Sequence, residues 1–267
     1  MILATENVEF EAWRDLYRAA SPPMAAAHGI RVENVNGALV SIAAGFDVLA
    51  LNRVIRLGSD GPATSADIEA CIDLYAKAGA ARFFVQLSPG AEPADLPAMI
   101  EARGFSHYNN WVKLTRGTGP VHDARTDLHV EQIDASHGSE FGRISALAFG
   151  WPEEVGQWTA LTVGRPNWRH YLALDGSLPV ATAALYMSGS AGWLGFASTL
   201  PDHRNQGAQN ALIARRIADA RELGLTRLEV ETAEATPGRH VVSYSNLLGF
   251  GFEVAFMRRN YLYKLTN

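Results

Sequence analysis

The sequence predicts an α/β chain of the α+β kind, built from two similar units. Three observations carry this. The order strand, helix, strand, helix, strand spans residues 46 to 115 and returns from 193 to 265. Both runs place a Gly-Phe after the second helix, at Gly104-Phe105 and Gly249-Phe250, and Gly251-Phe252 leaves the second register open by two. The length, 267 residues, suits two domains of ordinary size.

Each element has a local reason. In residues 3 to 29, Phe10, Trp13, Leu16 and Tyr17 recur at helical spacing, and Ser21-Pro22-Pro23 breaks the run into one or two helices. Residues 39 to 58 are rich in β-branched side chains and read as two strands turning near Ala44-Gly45. Gly58 to Pro62 is a loop. Thr64 or Ser65 caps a helix running to Ala78, with Asp67 and Glu69 in its first turns and Gly79 at its end. Arg82 to Leu87 is a buried strand, Asp95 to Ala102 a short helix, and Tyr108 to Leu114 another strand.

Arg116-Gly117-Thr118-Gly119-Pro120 reads as a linker, so the expected domains are 1–119 and 120–267. Leu128 to Ile133 is a strand and Ser139 to Phe149 a helix. Phe149, Trp151, Trp158, Trp168 and Tyr171 then make an aromatic-rich stretch, which either plugs the seam between the domains or touches substrate. Residues 170–174 and 180–187 form a hairpin around Asp175-Gly176-Ser177. Residues 193–199, 226–232 and 253–264 are strands, and 207–223 and 241–248 helices.

The composition excludes several classes. The apolar fraction, 48%, fills two cores and excludes global disorder. Net charge is −5 with no basic block, so nucleic acid is not the expected partner. No apolar run reaches the ~20 residues that span a bilayer, and no membrane association is expected. The first residues are acidic where a secretory signal is basic, which points to the cytoplasm. Cys71, the single cysteine, allows no intramolecular disulfide and falls in a helical run, where a buried small hydrophobe is expected. No Cys/His cluster has metal spacing, so no metal is expected. Of the eight histidines, only His203 and His240 lie near the segment described next.

Residues 193–223 carry the functional signal: a buried strand, a stop at Pro201, a polar turn with Gly207, and a helix with Ile213, Ile217, Ala220 and Leu223 on one face. A helix opening on Arg-Asn-Gln-Gly-Ala-Gln offers unpaired N–H groups and a positive end to a phosphate, and Gly207 lets it come close. The competing account is an ordinary strand–turn–helix unit. The segment resembles the acyl-CoA-binding motif of the GNAT superfamily of N-acetyltransferases: a strand, a proline, then Arg or Gln, two residues, Gly, one residue, and Gly or Ala. Arg204, Gly207 and the distance from Pro201 fit, and Gln209 stands where the family has Gly or Ala. The resemblance covers about Leu128 to the C-terminus and, more weakly, the first half. It describes a tandem-GNAT chain with a degenerate N-terminal copy.

The resemblance implies two GNAT-like domains, each a mixed, mostly antiparallel sheet flanked by helices. It also implies parted strands at 193–199 and 226–232 in the C-terminal domain. Acetyl-CoA is the implied co-substrate and a primary amine of a small molecule or peptide the implied acceptor. Carried over by position, Ala197, Ser198 and Thr199 pair with the pantetheine arm, and a backbone N–H near Thr199 serves the oxyanion. Arg204, Asn205, Gln206, Gly207, Ala208, Gln209 and Asn210 face the pyrophosphate, and Asn246 contacts the cofactor. The first copy's loop carries Asp60 and Pro62, which oppose phosphate binding. On strand 226–232, Glu229 is expected to pair with arginine and Glu231 to act as base, directly or through water. The family's usual tyrosine acid is missing at Ser245 or Leu247. Tyr244 substitutes for it or merely packs. The reading from another class is a catalytically impaired CoA-binding or sensor module.

Overall fold

A computed structural model describes residues 2–122, 124–236, 238 and 241–265, with side chains from Glu6 onward; His240 lies outside them. The chain forms two compact units, residues 1–112 with 255–267, and residues 113–254. The boundary expected at 119/120 and this division differ because the C-terminal strand returns to the first unit, and because the strand before the linker runs on to Gly117.

The first unit holds α1 (Ile2–Ala19), α2 (Pro22–His28), β1 (Ile30–Val35), β2 (Ala38–Ala43), β3 (Arg53–Ile55), α3 (Ser65–Ala78), β4 (Arg82–Leu87), α4 (Leu96–Glu101) and residues 106–112 of β5 (Ser106–Gly117). The expected strands over 39–58 are β2 and β3, and β1 is an addition. Ile30-Arg31-Val32-Glu33 alternates apolar and polar side chains, but over four residues only, and just Ile30 is buried. Sheet order is β1-β2-β3-β4-β11-β5. The last residues of the chain, in β11 (Glu253–Lys264), pair antiparallel with β4, Arg259 facing Leu87 and Lys264 facing Arg82. β3 and β4 are parallel, while β1, β2 and β3 are joined antiparallel.

The core of this unit gathers Val40, Ile42, Val54, Ile68, Tyr75, Phe83, Val85 and Ile100. Cys71 lies in it, and burial pushes its thiol up to about 12, as a packing residue requires. Beside this core lies a buried ionic cluster. Arg258 donates to Glu6 at 2.9 Å and to Glu9 at 2.8 Å, and all three are about 1% exposed or less. Arg53 lies 3.4 Å from Glu9 and donates to Gln86 at 2.9 Å. Such a cluster ties α1 to the sheet, because a charge out of water must keep its partner.

The helix α3 shows why the first copy's loop is closed. Thr64 and Asp67 form a reciprocal capping box, with the Asp67 carboxylate accepting the Thr64 amide at 2.7 Å. The loop ahead is stapled shut. Glu92 donates its amide to the Gly58 carbonyl at 2.8 Å and accepts the Ala63 amide at 2.8 Å. Asp60 pairs with Arg56. The anion position at this helix start is filled by the chain's own carboxylate.

The second unit begins with residues 113–117 of β5 and continues through β6 (His129–Ile133), α5 (Gly138–Phe149), α6 (Glu153–Ala160), β7 (Trp168–Asp175), β8 (Leu178–Ser188), β9 (Ala191–Thr199), α7 (Ala208–Glu222), β10 (Arg227–Ala233) and α8 (Val242–Gly249). Its sheet order is β5-β10-β9-β8-β7-β6. β6, β7, β8 and β9 are joined antiparallel, and β9 and β10 are parallel, as β3 and β4 are in the first unit. The mixed, mostly antiparallel sheets flanked by helices are those expected. Of the aromatic stretch, Trp158, Trp168 and Tyr171 are buried within this unit's own core, while Phe149 is 41% exposed and stacks on Trp151 at 4.4 Å. α6 occupies part of that stretch. Gly142 and Gly156 explain how α5 and α6 pack, since a Cβ on Gly142 would lie 2.2 Å from the Gly156 carbonyl oxygen.

The ionic cluster generates a stability prediction. Replacing Arg258 with Met should lower the unfolding free energy by about 3–5 kcal/mol, because Glu6 then keeps buried charge without its cation and Glu9 keeps only Arg53, at 3.4 Å. Chemical denaturation measures it, and a double variant that adds Glu6→Gln, leaving Glu9 to Arg53, should recover much of the loss.

Candidate active site

The second unit opens where its parallel pair ends. β9 and β10 are paired from Ala191 with Arg227 to Leu194 with Val230. Beyond that register Gly195–Thr199 and Glu231–Ala233 run on without pairing to each other. The cause is visible in β9. Its register against β8 slips between Thr182 and Ala184, which places an extra β9 residue at Phe196-Ala197. Phe196 takes a left-handed φ of 49°. The Trp193 ring covers Gly195, where a Cβ would lie 2.1 Å from the indole, so that position admits only glycine. The expected strand splay is present and is built by a bulge.

Past β9, Pro201 to His203 make one short turn, Asn205 takes φ 64° and Gly207 φ 85°, and α7 begins with no side-chain cap. Its first amides and its dipole therefore face outward. The contrast with α3, closed by Asp67, favours the anion-site account of residues 193–223 over an ordinary strand–turn–helix unit. A cleft of about 1120 Å³ lies here. Ala197, Ser198, Thr199, Arg204, Asn205, Gln206, Gly207, Ala208, Gln209, Asn210 and Asn246 all line it.

Gln209, the departure from the family pattern, has a place. Its Oε1 accepts the Asn246 amide at 2.7 Å, linking α7 to α8 and leaving its own NH₂ as a donor. Residues missed in the sequence complete the wall. Arg125, Thr126, Asp127 and Leu128, which read as linker and strand edge, line the cleft, as do Asp175 and Phe149. Thr126 donates to the Gln206 carbonyl at 2.6 Å, and its Cβ would lie 2.9 Å from any Cβ on Gly207. Nothing in a polar run of connecting residues marks this contact.

The catalytic candidates are placed differently. Glu231 is half-buried, one residue past the last β10 position registered with β9, and does not line the cleft. Tyr244 is half-buried on α8 and does not line it either. Ser243 does, and its hydroxyl lies 2.5 Å from that of Thr232 at the splayed end of β10. Glu229 pairs with Arg227 at 2.8 Å, as expected. Arg216 is buried instead against backbone, donating to Leu212 and Ala184, and burial lowers it to about 10. His170 is buried and pushed down to about 3, so it stays neutral beside Thr162 and serves the core. Among the described residues no three His, Cys, Asp or Glu side chains gather as a metal group, and no helix is long and apolar enough to cross a membrane.

Residues 140–242, which hold the bulge, the loop and α7, match the family model described as Acetyltransferase (GNAT) family. Over this segment the chain is similar to the GNAT acetyltransferases. Solved structures extend the likeness to the whole fold. A GCN5-related N-acetyltransferase from Kribbella flavida aligns with a TM-score of 0.63 at 17% identity, over 94% of this chain and 96% of that one. A GCN5-related N-acetyltransferase from Sphaerobacter thermophilus aligns at 0.60 and 14% identity, over 73% and 65%. A tandem GNAT protein from the clavulanic acid biosynthesis pathway aligns at 0.55 and 14% identity, over 76% and 70%. Comparison with the curated proteins finds no match. The GNAT family implies acyl transfer from an acyl-CoA.

The geometry of the loop at Gly207 sets one test. Gly207→Val forces a β-branched residue into φ 85° and against Thr126. Acyl-CoA affinity, measured by calorimetry, should fall at least ~10-fold, about 1.4 kcal/mol, while the circular dichroism of the chain stays that of the parent.

Proposed function

We propose that the second unit transfers acetyl from acetyl-CoA to a primary amine of a small molecule. The observation that carries this reading is the shared cleft: every residue matched to the cofactor motif lines one space between parted strands and an uncapped helix start. The diphosphate sits at the amides of residues 205–210, where the α7 dipole and Arg204 favour negative charge. The pantetheine arm runs into the opening and pairs its amides with the unpaired edge of β9, as an added strand does.

The reaction needs a neutral amine, a stabilised oxyanion and a leaving thiolate. Backbone N–H groups of Ala197 to Thr199, freed from the β9–β10 ladder, are the donors for the oxyanion. Glu231 is the carboxylate assigned to take the amine proton through a water, from its position where the splay begins. Ser243, rather than Tyr244, is the hydroxyl on the cleft wall and is assigned to hydrogen-bond the departing sulfur. A thiol has an ordinary pKa near ~8.5, so the thiolate leaves without a dedicated acid. The negative chain suits a cationic or neutral amine.

A second reading has its own observation. Tyr244 stands off the cleft wall and Gln209 bridges to Asn246, an arrangement that also suits a module that binds CoA without turnover. Calorimetry with acetyl-CoA, followed by thiol release across a panel of amines, separates the two. Binding with thiol release on at least one amine is expected. Binding with no release on any amine would favour the module. For the active enzyme, Glu231→Gln should lower kcat/KM by about 100-fold near neutral pH. The loss should narrow as pH rises, because more of the amine then arrives already neutral.

A further inference from the structure

Beneath the bulge lies a hydroxyl chain that the proposed reaction does not yet use. Thr182, on β8, is fully buried. Its Oγ1 lies 3.0 Å from the carbonyl of Phe196, 2.8 Å from Ser198 Oγ and 3.2 Å from Ser145 Oγ. Ser145, on α5, is also fully buried, and Ser198 lines the cleft. A hydroxyl has one proton and two lone pairs. A carbonyl can only accept, so the Thr182 proton goes to Phe196. Thr182 must then accept from both serines. Ser198 therefore spends its only proton inward and turns its lone pairs to the cleft.

We infer that Thr182 is a positioning residue: it pins the left-handed Phe196 at the bulge and fixes Ser198 as a hydrogen-bond acceptor for an N–H donor in the cleft. This rests on the acetyl-transfer reading. Two parts of that reaction carry an N–H, the amides of the cofactor arm and the attacking amine, and both present the same chemistry to Ser198. The strained φ at Phe196 is a conformation that a non-glycine residue holds only when its surroundings impose it. The Thr182 bond to the Phe196 carbonyl is one such restraint, beside the Trp193 ring over Gly195 and the packing of the Phe196 ring on Phe141, Trp168 and Trp193.

The test uses the full chain with Thr182→Val, Thr182→Ser, Ser198→Ala and the Thr182→Val/Ser198→Ala pair. In the ligand-free protein, Thr182→Val should speed amide hydrogen exchange over residues 195–199 at least tenfold and leave residues 208–222 at the parent rate. Thr182→Ser, which keeps the hydroxyl, should stay near the parent. Thr182→Val and Ser198→Ala should each cost about tenfold in one shared readout, and the pair should cost no more than the worse single variant. A loss in acetyl-CoA affinity by calorimetry assigns the N–H to the cofactor arm, and a loss in the amine's KM or in kcat assigns it to the amine. Unchanged exchange over 195–199, additive losses in the pair, or equal losses in the Val and Ser variants would overturn the inference. A parent chain that binds no acetyl-CoA would overturn the acetyl-transfer reading instead, and the exchange readout would still decide the role of Thr182.

Discussion

The second unit depends on one event in its sheet: two parallel strands stop pairing after Leu194 and Val230. A parallel ladder normally continues until a strand ends, since every amide left behind in a buried place is costly. Here both strands continue, by five residues on β9 and three on β10. The bulge at Phe196-Ala197 bends β9 away and leaves an edge inside the domain. That edge is polar, unpaired and framed by helices. It suits a ligand that brings its own amides, as the arm of an acyl-CoA does.

The second constraint is electrostatic. A helix start concentrates about half a positive charge on a few amides. The two units meet this field in opposite ways. At α3 the Asp67 carboxylate lies on the Thr64 amide and Glu92 staples the loop, so no anion from outside has room or need to bind. At α7, Gly207 supplies the turn without a capping side chain, and residues 125–126 pack against the glycine where any side chain would stand. The same architecture thus gives one closed and one open helix start, and the difference lies in a few side chains.

The sequence made the architecture readable because the helices carry strong punctuation. Gly79, the Thr64–Asp67 box and Ser21-Pro22-Pro23 act over three or four residues and show in any window. The cleft wall was equally readable at residues 197–199 and 204–210, since these residues are consecutive along the chain and travel with the motif. Residues brought in from a distance were not. Thr126 meets Gln206 across 80 positions, and Thr182 meets Ser198 across 16. Neither pairing leaves a local pattern. The return of the C-terminal strand to β4 is hidden for the same reason, as strand periodicity names a face but not a partner. Counting from Gly-Phe led to Ser245 or Leu247 and so to the neighbouring Tyr244, whereas Ser243, one position before it, lines the cleft. On a helix one residue turns a side chain by about 100°, so a count exact to one position still points elsewhere.

Gln209 shows how the motif can bend without losing its geometry. A glycine or alanine at that point leaves space, whereas glutamine brings four more heavy atoms than alanine. The side chain escapes toward α8, where Asn246 fixes its oxygen at 2.7 Å. With the oxygen committed, the amide nitrogen is the group left to face an anion, and its dipole then adds to that of the helix start. A residue that would obstruct a phosphate as a loose side chain becomes, once tethered, one more donor on the rim. The position therefore tolerates size when a partner across the cleft sets the orientation.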